Sequence, residues 1–173
     1  MRVCSIDVGI KNLAYCVVES CAPGQIEIRA WRLLGFAGKT MADTVHGLHA
    51  LLVQHAADFE GCRDVLIERQ AGLNKRMVCL CHSIQMFFLC RGRAVVLCDP
   101  RKKLSAFLPR AEGRKTYSET KALAIHHAKK TLEAAGQTVW LDFLGSNRKQ
   151  DDLADSLCQA VSWMQSRPRG VTL

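Results

Sequence analysis

Three β-patterned runs lie within the first 33 residues, and the turns between them are so short that the strands can only pair side by side and antiparallel. Residues 3–8 are β-branched and closed by Gly9. Residues 13–19 follow the polar turn Lys11-Asn12, and residues 25–33 alternate Ile26, Ile28 and Ala30 with Glu27, Arg29 and Trp31. The pattern then changes period. Val45, Leu48, Leu52 and Ala56 recur at helical spacing over 41–57, whereas residues 63–68 hold Val65-Leu66-Ile67, apolar on both faces, as a strand covered on both sides must be.

The remaining segments alternate in the same way. A helix is predicted over 74–90, with Met77, Leu80, Ile84 and Phe87 as one stripe. Val78, Cys81, Met86, Phe88 and Leu89 carry the apolar surface well round its circumference, as in a helix that is deeply buried or shared with a second subunit. Residues 94–98 read as another buried strand. Residues 118–135 read as a helix with Ser118 as N-cap and Gly136 as its stop. Residues 138–144 read as strand or extended chain, and a last helix spans 149–165 with Pro168 beyond it. This order predicts an α/β fold, a mixed sheet of three antiparallel strands followed by parallel ones, flanked by helices. At 173 residues the chain fits one domain, 1–173, and no linker or repeat divides it. A polar loop over 109–115 is the nearest thing to a break and is well placed to touch a ligand.

No apolar run approaches the roughly 20 residues of a membrane span, and Asp7 interrupts the N-terminus too early for a signal peptide. The nine cysteines are odd in number, and Cys4, Cys16, Cys90, Cys98 and Cys158 sit in apolar stretches, which suits small hydrophobes in a reducing, intracellular setting. Cys79-Leu80-Cys81-His82 has no second ligand pair at zinc spacing.

Four acidic positions stand out. Asp7 ends the first strand and Glu68 ends Val65-Leu66-Ile67, positions where a buried charge needs a partner or a metal. Two more come from Asp151-Asp152-Leu153-Ala154-Asp155 at the start of the last helix. Spacing does not choose between Asp151 and Asp152 as the partner of Asp155, since i, i+4 and i, i+3 share a face. Each acid also has an ordinary explanation. Asp7 could be a turn residue, Asp151 and Asp152 helix-start acids, and Glu68 a partner for Arg69. Clustered, they form the hard oxygen set that Mg²⁺ or Mn²⁺ prefers.

Taken in order, Ser5-Ile6-Asp7-Val8-Gly9-Ile10-Lys11-Asn12-Leu13-Ala14, Leu66-Ile67-Glu68-Arg69-Gln70 and Lys149-Gln150-Asp151-Asp152-Leu153-Ala154-Asp155-Ser156 resemble the poxvirus-type Holliday junction resolvases, in the RuvC group of the ribonuclease H-like superfamily. The resemblance runs from residue 5 to about 160, and fungal mitochondrial resolvases share much of the pattern. It implies a ribonuclease H-like fold and a homodimeric, Mg²⁺-dependent endonuclease. Such an enzyme holds two ions per site, with Mn²⁺ able to substitute, and makes paired symmetric nicks in four-way and other branched DNA during recombination. Products would carry 5′-phosphate and 3′-hydroxyl ends. The implied ligands are Asp7, Glu68, Asp152 and Asp155, with Asp152 preferred to Asp151 by the resemblance alone. A basic catalytic residue is expected among Lys102, Lys103, Lys115 and Lys121, with Lys121 favoured and Lys103 next. The dimer would use the helix after Glu68 through Met77, Leu80, Ile84 and Phe87. A poxvirus-like protein would work in the host cytoplasm.

Charge is consistent with a nucleic-acid partner. Lys plus Arg number 24 against 16 acids, and setting aside the four candidate ligands leaves a formal +12. The candidate DNA contacts are Lys75, Arg76, Arg101, Lys102, Lys103, Arg114 and Lys115, with further basic clusters at Arg91-Gly92-Arg93 and Arg148-Lys149. Aromatics are only 6%, too few for a stacking platform, so selectivity would come from shape. Phe87 and Phe88 are better explained as core than as a wedge. Two other readings fit the same residues. One is a ribonuclease H-like nuclease directed at RNA, and the other a catalytically inactive DNA-binding subunit.

Overall fold

The computed structural model describes residues 1–22, 25–36, 38–108 and 116–166. Its elements run β1 (Arg2–Val8), β2 (Asn12–Ala22), β3 (Gln25–Gly35), α1 (Met41–Gln54), β4 (Asp64–Glu68), α2 (Lys75–Leu89), β5 (Ala94–Cys98), α3 (Tyr117–Ala134), α4 (Thr138–Ser146) and α5 (Gln150–Ser166). The strands form a five-stranded sheet in the order β3-β2-β1-β4-β5. β1, β2 and β3 are antiparallel neighbours, whereas β4 and β5 run parallel to β1. The mixed sheet expected from the sequence is therefore present.

Strand alternation divides the core. Cys4, Ile6, Leu13, Tyr15, Val17, Val65 and Ile67 face one layer with Leu48, Leu52, Leu80, Ile84 and Phe88 of α1 and α2. Ala14, Cys16, Val18, Ile28 and Trp31 face the other, with Ala124, Ala128, Leu132, Leu144, Leu153, Leu157 and Cys158 of α3, α4 and α5. Burial on both faces explains why Leu13–Val18 reads as an unbroken apolar run. No helix among the described residues is long and apolar enough to cross a membrane.

Several expectations need correction. Residues 138–144 form a helix, not a strand. Trp140, Phe143 and Leu144 lie at i, i+3 and i+4, and Trp140 and Phe143 pack their rings against Trp31, so tertiary packing overrides the β-branched and aromatic composition. The N-cap of α3 is Thr116 rather than Ser118, in a capping box with Glu119. β5 is a half-exposed edge strand rather than a buried one, because no strand among the described residues pairs beyond it. Cys90 is exposed and Cys98 half-buried, and all nine cysteines are free thiols.

Two contacts fix the entry of α5 against the sheet. The Trp31 indole donates to the carbonyl of Leu153 at 3.2 Å and to the Ser156 hydroxyl at 3.1 Å. Deeper in, Gln159 Nε2 donates to Ser5 Oγ at 3.0 Å. Gly9, just past β1, has no substitute, because a Cβ there would lie 2.6 Å from the backbone oxygen of Asn12.

Candidate active site

The parallel register aligns Ile6 with Ile67, so Asp7 and Glu68 fall side by side at the C-terminal ends of neighbouring strands. Both lie on the sheet face covered by α5, because Ser5, two residues before Asp7, is bonded by Gln159 of that helix. In open sheets of this kind the crevice beyond the C-terminal strand ends is the usual place for ligands. α5 supplies Asp152, Asp155, Gln159 and Ser162 at i, i+3, i+7 and i+10, a polar stripe down an otherwise apolar, buried helix. Gln159 and Ser162 were not singled out in the sequence. The signal for them was polar residues continuing at helical spacing beyond Asp155.

A lysine joins the carboxylates. Lys103 Nζ stands 2.9 Å from Glu68 Oε2 and 2.6 Å from Asp155 Oδ2. It is delivered by the chain leaving β5, the third parallel strand end at this pole. Its backbone is also held. The Ser162 hydroxyl donates to the Lys103 carbonyl at 2.8 Å and accepts from the amide of Ala106 at 3.2 Å. Lys121, favoured from the sequence, is not in this group: it pairs with Asp151 and lies over the ring of Tyr117. Lys103 is also withdrawn from its expected place on the DNA-binding surface, its side chain being 14% exposed.

The electrostatics follow from this crowding. Burial, then the neighbouring Glu68, push Asp7 up to about 8, with Asp155 and Asp152 adding and Lys103 opposing. Burial also raises Asp155, against the pull of Lys103, and raises Asp152, with Asp151 adding. Burial pushes Asp151 up, but the hydrogen bond and the charge of Lys121, with Lys149 adding, together bring it below its ordinary value. Burial works against charge on Lys103, but Glu68, Asp155 and Asp7 hold its ammonium well above the usual lysine range. Asp152 and Asp151 are thus distinguished by surroundings, Asp152 acting on Asp7 while Lys121 occupies Asp151.

The donors suit a hard divalent cation: aspartate and glutamate oxygens converge, and Asp155 Oδ1 is buried without a hydrogen-bond partner. Among the described residues, no three His, Cys, Asp or Glu side chains are already arranged to close on one ion. Glu68 and Asp155 close on the Lys103 ammonium instead. A cavity of about 1170 Å³ lined by Ser20, Gln25, Phe107 and Gln137 opens at the opposite end of the sheet, away from this chemistry.

Basic residues flank the site unevenly. Lys75 and Arg76 are exposed in the first turn of α2, where no acid accompanies them and the helix dipole disfavours cations, so local stability does not account for their placement. Lys102 is exposed beside Lys103. Arg101 is engaged by Asp99 at 2.6 Å, and Arg91 caps the far end of α2, its guanidinium 3.6 Å from the Phe87 ring centre. Arg114 and Lys115, with the rest of the 109–115 loop, and Pro168 lie outside the described residues.

The expected dimer stripe also needs correction. Leu80, Ile84 and Phe87 are buried in the chain's own core and are not available to a second copy, whereas Met77 packs against that core while half-buried. The opposite face of α2 is the open one, with Cys79, His82, Met86 and Leu89 exposed. Phe88 is buried as well, so neither it nor Phe87 is a wedge.

Solved structures share this architecture. A fowlpox virus resolvase in complex with Holliday junction DNA matches with a TM-score of 0.72 at 20% identity, covering 96% of this chain and 98% of that one. The yeast mitochondrial Holliday junction resolvase Ydc2 matches with a TM-score of 0.67 at 18% identity, covering 95% and 79%. A Thermus thermophilus RuvC matches with a TM-score of 0.63 at 15% identity, covering 95% and 96%. At these identities the likeness is one of fold, a ribonuclease H-like fold with carboxylates at its strand ends. A search of curated protein sequences returns no match. The family model described as Poxvirus A22 protein matches residues 1–167, and the chain belongs to that family.

Proposed function

We propose that this protein is a Holliday junction resolvase, a single nuclease domain over residues 1–173 that acts as a homodimer and nicks four-way DNA junctions symmetrically. The observation that carries the reading is the convergence of Glu68 and Asp155 on the Lys103 ammonium, with Asp7 beside Glu68 on the neighbouring strand and Asp152 one turn away on the same helix face. Membership of the poxvirus A22 family and the fold of the resolvases matched above support it.

Asp7, Glu68, Asp152 and Asp155 would hold two Mg²⁺ ions, or Mn²⁺ in their place. Such a pair, when bound, activates a water and stabilises the leaving oxygen of an in-line phosphodiester displacement. The chain's own part is to position and to exclude. Strand register fixes Asp7 beside Glu68, Gln159 and Trp31 fix α5, and the apolar flanks keep the carboxylates out of bulk water. Lys75, Arg76 and Lys102 supply phosphate contacts on exposed surface, with Arg114 and Lys115 as further candidates. A two-fold dimer offers one site to each of the two scissile strands of a symmetric junction, with the exposed face of α2 as its contact. The setting is intracellular, in host cytoplasm.

The test is cleavage of a labelled four-way junction beside linear duplex and RNA–DNA hybrid, with and without Mg²⁺, for wild type and Asp7→Asn. Paired nicks confined to the junction, Mg²⁺-dependent and lost in the variant, are expected. Preference for the hybrid would move the activity to RNA, and junction binding without cleavage would make the chain an inactive subunit.

A further inference from the structure

We propose that Lys103 is a built-in competitor of the divalent cation: its ammonium neutralises the carboxylates when no metal is bound and is expelled when metal enters. The inference rests on the four-carboxylate reading above and concerns how that site is regulated. Lys103 Nζ contacts one oxygen each of Glu68 and Asp155, at 2.9 and 2.6 Å, so a divalent ion drawing on these carboxylates competes with the ammonium for the same two groups. A +1 ammonium and a +2 ion held by the same carboxylates repel each other strongly in a site largely closed to solvent.

The geometry separates what can move from what cannot. The Lys103 backbone is tied to α5 through Ser162, so expulsion is a swing of the four-carbon side chain alone. A tethered ammonium leaving the pocket stays at the same pole as the exposed Lys102, Lys75 and Arg76, where a DNA phosphate would receive it. Metal entry and phosphate capture are then coupled: the lysine weakens metal binding to the free protein, and DNA relieves that penalty by accepting the ammonium. Asp155 Oδ1, buried and without a hydrogen-bond partner, is the donor left open beside the lysine. Lys121 lacks this role, since it engages Asp151 rather than Glu68 and Asp155.

The experiment uses the full chain without DNA and Mn²⁺ as the probe. Mn²⁺ affinity is measured by calorimetry for wild type, Lys103→Gln and Asp155→Asn. In parallel, amine acylation of wild-type Lys103 is followed by mass spectrometry with and without saturating Mn²⁺, with Lys102 as internal control. Lys103→Gln is expected to bind Mn²⁺ about tenfold or more tighter. Wild-type Lys103 is expected to be protected without metal and labelled several-fold faster with it, while Lys102 stays constant. Unchanged or weaker Mn²⁺ affinity in Lys103→Gln overturns the proposal. Equally, Lys103 that stays protected at saturating Mn²⁺ overturns it, and this measurement needs no variant to fold. If wild type binds no Mn²⁺, or Asp155→Asn binds it as well as wild type, the four-carboxylate reading itself fails, and the proposal with it.

Discussion

Gln159 of α5 donates a hydrogen bond from Nε2 to Ser5 Oγ of β1 at 3.0 Å, joining residues 154 positions apart. Ser5 lies two residues before Asp7 on the same strand face, and Gln159 lies one turn after Asp155, so this buried bond sets the relation of the two carboxylates. Gln159→Leu and Ser5→Ala should each cost about 1–3 kcal/mol, the usual penalty for a buried polar group left without its partner. Cleavage should fall by more than junction binding does. Urea unfolding and single-turnover cleavage check both, and cleavage that tracks stability alone would remove the positioning role.

Asp7→Asn keeps the side-chain shape while removing a carboxyl that burial and Glu68 push up to about 8. The variant should lose cleavage, retain junction binding, and melt no lower than wild type in metal-free buffer. Circular dichroism melts, gel shifts and cleavage on one preparation decide it. A large drop in Tm would mark Asp7 as a folding residue instead.

The two faces of α2 should respond differently to a charge. Ile84→Glu places an unpaired carboxylate in the core and should cost about 4–5 kcal/mol or more, enough to unfold the chain. Met86→Glu alters an exposed side chain and should leave the fold intact while dissociating the proposed dimer. Sedimentation velocity on wild type and Met86→Glu is the check. A monomeric wild type, or a dimer unaffected by Met86→Glu, would move the interface elsewhere.

Away from the site, the Tyr15 hydroxyl donates to Asp58 Oδ2 at 2.5 Å, and Arg32 Nε donates to the same oxygen at 2.7 Å. Burial opposes the charge on Asp58, but the bonds from Arg32 and Tyr15 win and lower its pKa in the folded state. A carboxylate depressed in the folded state contributes stability above its unfolded pKa and loses it as pH falls through the folded value. Acid should therefore erode this contribution below about pH 4, the ordinary aspartate range. Asp58→Asn should be less stable at pH 7 and show a flatter stability profile below pH 4, read from urea midpoints across pH.

Junction affinity should fall linearly in a plot of log K against log salt, with a slope set by the number of phosphates neutralised. Replacing Lys75 and Arg76 together by Gln should reduce that slope by about 2 while leaving fold and metal affinity unchanged. An unchanged slope would take both residues out of the DNA surface.

The five sheet strands, the antiparallel start, the parallel centre and the acids at strand ends were legible because each depends on local signals. Turn length forces adjacency, apolar runs mark buried strands, and a charge closing such a run is conspicuous. Residues 138–144 were misread because Thr138, Val139 and Trp140 favour a strand locally, and only packing on Trp31 makes them helical. The choice of Lys103 over Lys121 lay beyond any spacing rule. Lys103 reaches Glu68 and Asp155, 35 and 52 positions away, through the register of β4 with β5 and the docking of α5. The sequence by itself determined which residue types meet at one pole of the sheet. Which ammonium enters the carboxylates, and which face of α2 remains open, were decided by tertiary structure, because each depends on contacts between elements distant in the chain.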